Sequence, residues 1–206
     1  MARSGHPFPV LRLVVAAFLA VYVPAYAIAY GFANFLFLCN LSVILAAAGI
    51  LWASPLLVSS QALAATAVGA AWALDAGSRL LVGRHLFGGT EYMWDPRWPA
   101  FTRALSLYHV ALPVVLAWAL RKLGYDRRAL ILQSSIAVTG VLVGRSLGAE
   151  ANVNYAFADP FFKRALGPAP VHVAVTAAAL VLVAYLPLHV AALRLLPAPQ
   201  PACPQT

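Results

Sequence analysis

A cysteine and an asparagine stand side by side in "NFLFLCNLS" (34–42), a stretch that opens a run of Leu, Val, Ile and Ala. A thiol with a free pKa of about 8.5 holds little thiolate at neutral pH and becomes a nucleophile only with help. An imidazole is available in "LSLYHVALP", where His109 lies inside another apolar run. Together Cys39 and His109 could pass an acyl group through a thioester, the imidazole taking the thiol proton. Packing competes with this chemistry. Cysteine is a small hydrophobe in interiors, and a histidine within a membrane often just bonds a neighbouring helix.

Other polar groups are candidates for the same chemistry. Asp75 in "AAWALDAGSRL" has Arg79 four residues on, which suits a local ion pair on one helix face. Alternatively Asp75 orients His109 while Arg79, with its planar fork, meets a phosphate. Arg145 ends another apolar run and is a second phosphate candidate. "NVNYAF" (152–157) offers the amide of Asn154 and the phenol of Tyr155 to a developing oxyanion, although loop polarity explains it equally well. Asn40 would line the same cavity. "HLFGGTEYMWDPRWPAFTR" (85–103) suits an interfacial anchor, since Trp and Tyr favour headgroup level, or a lid. Its His85 and Glu91 have no metal-ligand spacing.

Two formal motif matches carry nothing. "NLS" at 40–42 is a glycosylation sequon inside an apolar run. "GRSLG" at 144–148 spells a nucleophile elbow, but that motif needs a strand–turn–helix corner. Neither a cofactor nor a metal is expected.

The elements that must position these groups are membrane helices. Of 206 residues, 63% are hydrophobic and 10% charged, against about a quarter charged in soluble domains. Six apolar segments stand out, at 10–32, 35–53, 56–75, 104–120, 129–147 and 171–195. Each is near the ~20 residues of a spanning helix and too long for a barrel strand. The expected fold is an all-α polytopic bundle of about six transmembrane helices over 1–196, with an interfacial loop segment and a disordered tail, 197–206. "MARSGHPFPVLRLVVAAFLAVYVPAYA" also has signal-peptide grammar, but its apolar run continues past the Ala-Tyr-Ala site, which favours a retained helix.

A net charge of +8 would point to nucleic acid in a soluble protein. Here the basic residues lie in short loops, where they set topology and meet anionic headgroups. The partners expected are membrane phospholipids, not nucleic acid. Cys39 and Cys203 form neither a disulfide framework nor a metal spacing.

If the amino terminus lies on side A, the Lys and Arg residues divide evenly between faces. The cluster "RKLGYDRR" (121–128) leans towards side A as cytoplasmic, with both termini, in the cell membrane. The acids do not divide evenly. Asp75, Glu91, Asp95, Glu150 and Asp159 fall on side B, and Asp126 alone on side A. Cys39, Asn40, His109, Arg145 and "NVNY" converge on side B as well.

In order and span placement, the cysteine with its polar follower, the "LSLYH" histidine and "NVNY" resemble the YwaF-like integral membrane proteins, over roughly 34–157. These have six spans and an animal relative that moves fatty acyl chains onto ether phospholipids using a cysteine. The resemblance implies a lipid acyltransferase with Cys39 and His109 catalytic and with Asn40, Asn154 and Tyr155 in the site. Phe37 stands where the family has an imidazole, and Asn40 where it often has an acid. Those losses keep a non-catalytic lipid-binding or scaffold protein open. A transporter is the third class, with Gln61 and Gln133 the main polar residues towards side A.

Overall fold

The computed structural model describes residues 6–199, and the regular structure within them is helical. Eight α-helices follow in chain order: α1 (Leu11–Tyr30), α2 (Leu38–Leu51), α3 (Pro55–Val82), α4 (Ala100–Leu105), α5 (Tyr108–Leu123), α6 (Ala129–Ser146), α7 (Ala169–Ala178) and α8 (Leu186–Leu195). Five helical units are long and apolar enough to cross a membrane: Leu11–Tyr30, Pro55–Val82, Ala100–Leu123, Ala129–Ser146 and Ala169–Leu195. With α2 as the sixth apolar helix, the chain is an integral membrane helix bundle.

The elements differ from the expected spans at their ends. The second span, read as 35–53, is only a 14-residue helix, or ~21 Å, short of the ~30 Å hydrocarbon core. Residues Phe32–Leu36 wind into a 3-10 turn instead. α2 can be short because it lies within the bundle, with eight of its residues buried. The third span runs on to Val82, so Asp75 lies two turns inside α3 rather than at its end. Ser54 caps α3 by accepting from the Leu57 N–H at 3.3 Å, and Pro55 suits its first turn. The helix stops at Gly83, whose φ of 75° is the left-handed conformation glycine tolerates.

Prolines inside the spans leave carbonyls that neighbours must accommodate. Pro113 cannot donate to the His109 carbonyl four residues earlier. That oxygen instead faces α3 at Gly69, where a Cβ would overlap it. Glycine at 69 therefore sets the close crossing of α3 and α5. In the last span, Pro187 follows a π-helical stretch, Ala179–Tyr185, that joins α7 to α8. This wider turn delivers the buried Tyr185 hydroxyl to Gln133 Nε2 at 3.4 Å, and Gln133 in turn accepts from Gln61 at 3.3 Å.

Contacts at the helix ends establish the two faces. On side A, the Tyr125 N–H donates to the Pro197 carbonyl at 2.7 Å, and the Asp126 N–H donates to Ser59 Oγ at 2.9 Å. Residues 197–199 thus lie against the loop after α5, while 200–206, with Cys203, lie outside the described residues. The carboxylate of Asp126 is held below the usual range by hydrogen bonds from the Arg128 side chain, the shortest at 2.7 Å. On side B, the loop after α3 meets the loop after α6: Lys163 Nζ donates to the Phe87 carbonyl, and the rings of Phe87 and Phe161 lie 4.8 Å apart. The two loops expected to share a face do so. Between the faces, Leu13, Val14 and Ile28 of α1, Val114 of α5, Ile131 of α6 and Val183 project outward. That apolar surface is what lipid would cover.

Candidate functional site

Cys39 of α2 and His109 of α5 line one void with Ala65, Val68 and Leu112, of about 10 Å³. Such a volume holds about one water molecule, so an acyl chain cannot enter it without movement. Cys39 is half-buried and a free thiol. His109 is buried and donates Nδ1–H to the Ser106 carbonyl at 2.8 Å, so a neutral ring carries its lone pair on Nε2. Its ring stacks with Trp72 at 5.2 Å and with Tyr108 at 4.1 Å.

Asn40 is tied to structure on every side. Its Oδ1 accepts from the hydroxyls of Tyr22 at 2.8 Å and Tyr108 at 2.7 Å, and its Nδ2 donates to the Asn34 carbonyl at 2.7 Å. One amide thereby joins α1, α5 and the 3-10 turn to α2. A carboxylate here would lose the donor to Asn34, which accounts for an amide beside the thiol. The sequon at 40–42 is buried with it.

Asn154 also departs from its expected role. Residues Asn152, Asn154 and Tyr155 have φ of 38°, 54° and 57°, left-handed values in which asparagine is enriched. In that conformation Asn154 Oδ1 accepts from the Leu38 N–H at 2.8 Å, capping α2 from 116 residues away. Its Nδ2 donates to the carbonyls of Leu36 at 2.9 Å and Gly140 at 3.0 Å. Both amide hydrogens are committed, leaving none for an oxyanion. Arg145 is committed too. It donates to the Ala156 carbonyl at 3.0 Å and lies over the Phe157 ring at 3.9 Å, which holds the loop. Tyr155 is exposed, and its carbonyl accepts from His172 Nε2 at 2.9 Å.

Asp75 corrects the expected pairing. Its partner is neither His109 nor Arg79 but His85, whose Nδ1 lies 3.3 Å from Oδ2. The Phe87 and Gly88 N–H groups donate to Oδ1 at 2.6 and 3.2 Å. The Thr90 N–H and hydroxyl donate to Oδ2 at 2.9 and 2.5 Å. A buried carboxylate is costly unless its lone pairs are satisfied, and here the loop after α3 folds back to satisfy them. Arg79 turns outward and donates to the Gly83 carbonyl.

That fold-back leaves an open cleft on side B of about 520 Å³, lined by Arg79, His85, Glu91, Tyr92, Trp94, Asp95, Arg97 and Trp98. This is within the size range of small-molecule sites. It carries both signs of charge. Arg97 grips Asp95 with its Nε at 2.8 Å and Nη2 at 2.6 Å, and these bonds hold the Asp95 carboxyl below its ordinary range. The Tyr92 hydroxyl accepts from Trp72 Nε1 at 3.0 Å, and burial pushes its phenol up to about 12.

His85 is the residue the sequence left unassigned. Its signal was the "HLFGGT" turn, in which paired glycines let Thr90 and the backbone return towards α3. A second missed feature was legible: Tyr22, Tyr26 and Tyr30 recur every four residues on one face of α1. Their neighbouring rings lie 4.2 and 5.0 Å apart, and Tyr26 shares a 2.5 Å hydrogen bond with Ser106. Towards side A, Gln61, Gln133 and Tyr185 form a chain of internal hydrogen bonds. Comparison of the chain with protein-family models, with curated proteins and with solved structures finds no match.

Proposed function

We propose that this integral membrane protein binds phospholipid headgroups in the side-B cleft. One observation carries the proposal. At the end of α3, the cleft brings two guanidiniums, two carboxylates and the rings of Tyr92, Trp94 and Trp98 together around about 520 Å³. A zwitterionic headgroup matches that set. Its phosphate suits Arg79, the guanidinium without a carboxylate clamped to it, and its ammonium suits Glu91 and the aromatic faces. The aromatic side chains belong at headgroup depth.

Titration of the purified protein with dihexanoyl phosphatidylethanolamine tests this. A ligand that binds only the folded state raises the melting temperature with saturation. Arg79→Gln should weaken the response about tenfold or more, as expected for a lost charge-assisted contact. A response equalled by an uncharged short-chain diacylglycerol would reject headgroup recognition.

Acyl transfer through Cys39 is the second reading, favoured by the void that Cys39 and His109 share. It requires that void to open towards side B.

A further inference from the structure

We infer that Asp75 and His85 form a general-base pair facing the cleft, which directs water at a carboxylic ester of the glycerophospholipid held there. This inference rests on the headgroup proposal and adds a hydrolytic activity to it, at a site separate from Cys39.

Hydrogen counting fixes the proton on His85. Thr90 has one hydroxyl hydrogen, and it is donated to Asp75 Oδ2 in the 2.5 Å contact. The Thr90 oxygen therefore accepts in its 3.1 Å contact with His85 Nδ1, as does the Asp75 carboxylate at 3.3 Å. Nδ1 must carry the hydrogen, and in the neutral ring Nε2 carries the lone pair. Among the described residues Nε2 has no hydrogen-bond partner, while the side chain lines the cleft and is 18% exposed. The ring is steadied by the edge-on Trp94 at 5.2 Å. A buried carboxylate thus holds one imidazole tautomer, in a side chain that lines the cleft and whose Nε2 is left without a protein partner, as a general base requires.

Depth selects the bond. Arg79 stands one turn beyond Asp75 on α3, about 6 Å nearer side B, and the loop returns His85 to the level of Asp75. With a phosphate at Arg79, the glycerol esters beneath it come to the level of His85. Nε2 takes a proton from water as the water oxygen bonds to the acyl carbon. The tetrahedral intermediate then collapses, the bond from the acyl carbon to the glycerol oxygen breaks, and the imidazolium returns its proton to that oxygen. Fatty acid and lysophospholipid leave, one water is consumed, and no other reactant is needed.

The test uses the full-length protein in vesicles of phosphatidylethanolamine containing a radiolabelled acyl ester, with released fatty acid as the readout. His85→Asn keeps a donor for Asp75 and removes the base. At lipid concentrations that saturate the variant's own headgroup response, it should reduce release 10²–10⁴-fold. A diether analogue should bind without turnover. Parent protein that binds phosphatidylethanolamine but releases no fatty acid overturns the inference and leaves the headgroup proposal standing. So does His85→Asn at the parental rate. Parent protein that neither binds nor releases overturns both.

Discussion

Thr90 and Asp75 are joined twice, through the Thr90 N–H at 2.9 Å and its hydroxyl at 2.5 Å. Fifteen residues separate them, and the intervening chain must leave α3, turn and come back. Asp75 is thus the anchor of the loop that builds the cleft floor. Its other bonds to Phe87, Gly88 and His85 all act in the same direction.

The anchor should therefore be structural as well as chemical. Asp75→Asn replaces an oxygen that only accepts with an amino group facing backbone donors, leaving buried N–H groups unpaired. Such losses cost on the order of 2–4 kcal/mol. Limited trypsin digestion should cut faster at the exposed Arg84, next to the clamp. Thr90→Val, which removes only one hydroxyl, should show a smaller effect in the same assay.

Asn154 makes a sharper test, because its two substitutions rank in an unusual order. Asn154→Ala loses three hydrogen bonds and should destabilise the protein by about 2–3 kcal/mol. Asn154→Asp keeps the acceptor for Leu38 but sets a carboxylate oxygen against the Leu36 and Gly140 carbonyls. Aspartate should be the worse replacement, as read by unfolding in detergent. Equal melting temperatures for the two variants would contradict the assigned bonds.

Why one part of this molecule was legible and another was not follows from the range of the interactions. Six apolar runs and the gathering of acids on one face need only local composition and alternation of spans, and the bundle reproduces both. The Asp75 pairing failed because Arg79 is the partner at helical spacing, whereas the actual donors arrive through a turn whose geometry depends on Gly88 and Gly89. Asn154 failed for a longer-range version of that reason, since its partner Leu38 lies 116 residues away. Composition overstates the length of α2, because hydrophobicity continues through the 3-10 turn at Phe32–Leu36 while the α-helix begins only at Leu38. Even so, Cys39 and His109 were placed together from depth alone, and they do share a void.

Two glycines on α3 should respond to the same substitution with opposite sign. Gly69→Ala inserts a Cβ into the His109 carbonyl, forcing α3 from α5 at a cost of about 2–3 kcal/mol. A Cβ at Gly77 meets nothing within 4 Å. Gly77→Ala should then raise stability by about 0.5–1 kcal/mol through helix propensity alone. Thermal unfolding of the two variants side by side decides the matter.

Coupling among the polar groups around the thiol is also measurable. Tyr22→Phe removes a hydroxyl bonded to Asn40, and in the parent it should cost about 1 kcal/mol. In an Asn40→Ala background its acceptor is already gone, so the same change should cost nearly nothing. An unchanged cost in both backgrounds would remove Asn40 from the role of hub.

The last prediction concerns Cys39 itself. A void of about 10 Å³ beside the thiol admits water but no lipid and no maleimide. Labelling of the folded protein by N-ethylmaleimide at residue 39, read by mass spectrometry of the peptide, should be slow and should accelerate when the protein is unfolded. Acyl transfer through Cys39 makes the opposite demand, because the thiol must reach an ester in the side-B cleft. If transfer occurs, incubation with acyl-labelled phospholipid should leave hydroxylamine-sensitive label on the chain, absent in Cys39→Ala and diminished in His109→Ala. Rapid maleimide labelling together with a Cys39-dependent thioester would establish an opening motion and transfer through the thiol. Slow labelling with no thioester would leave Cys39 as packing between α2 and α5.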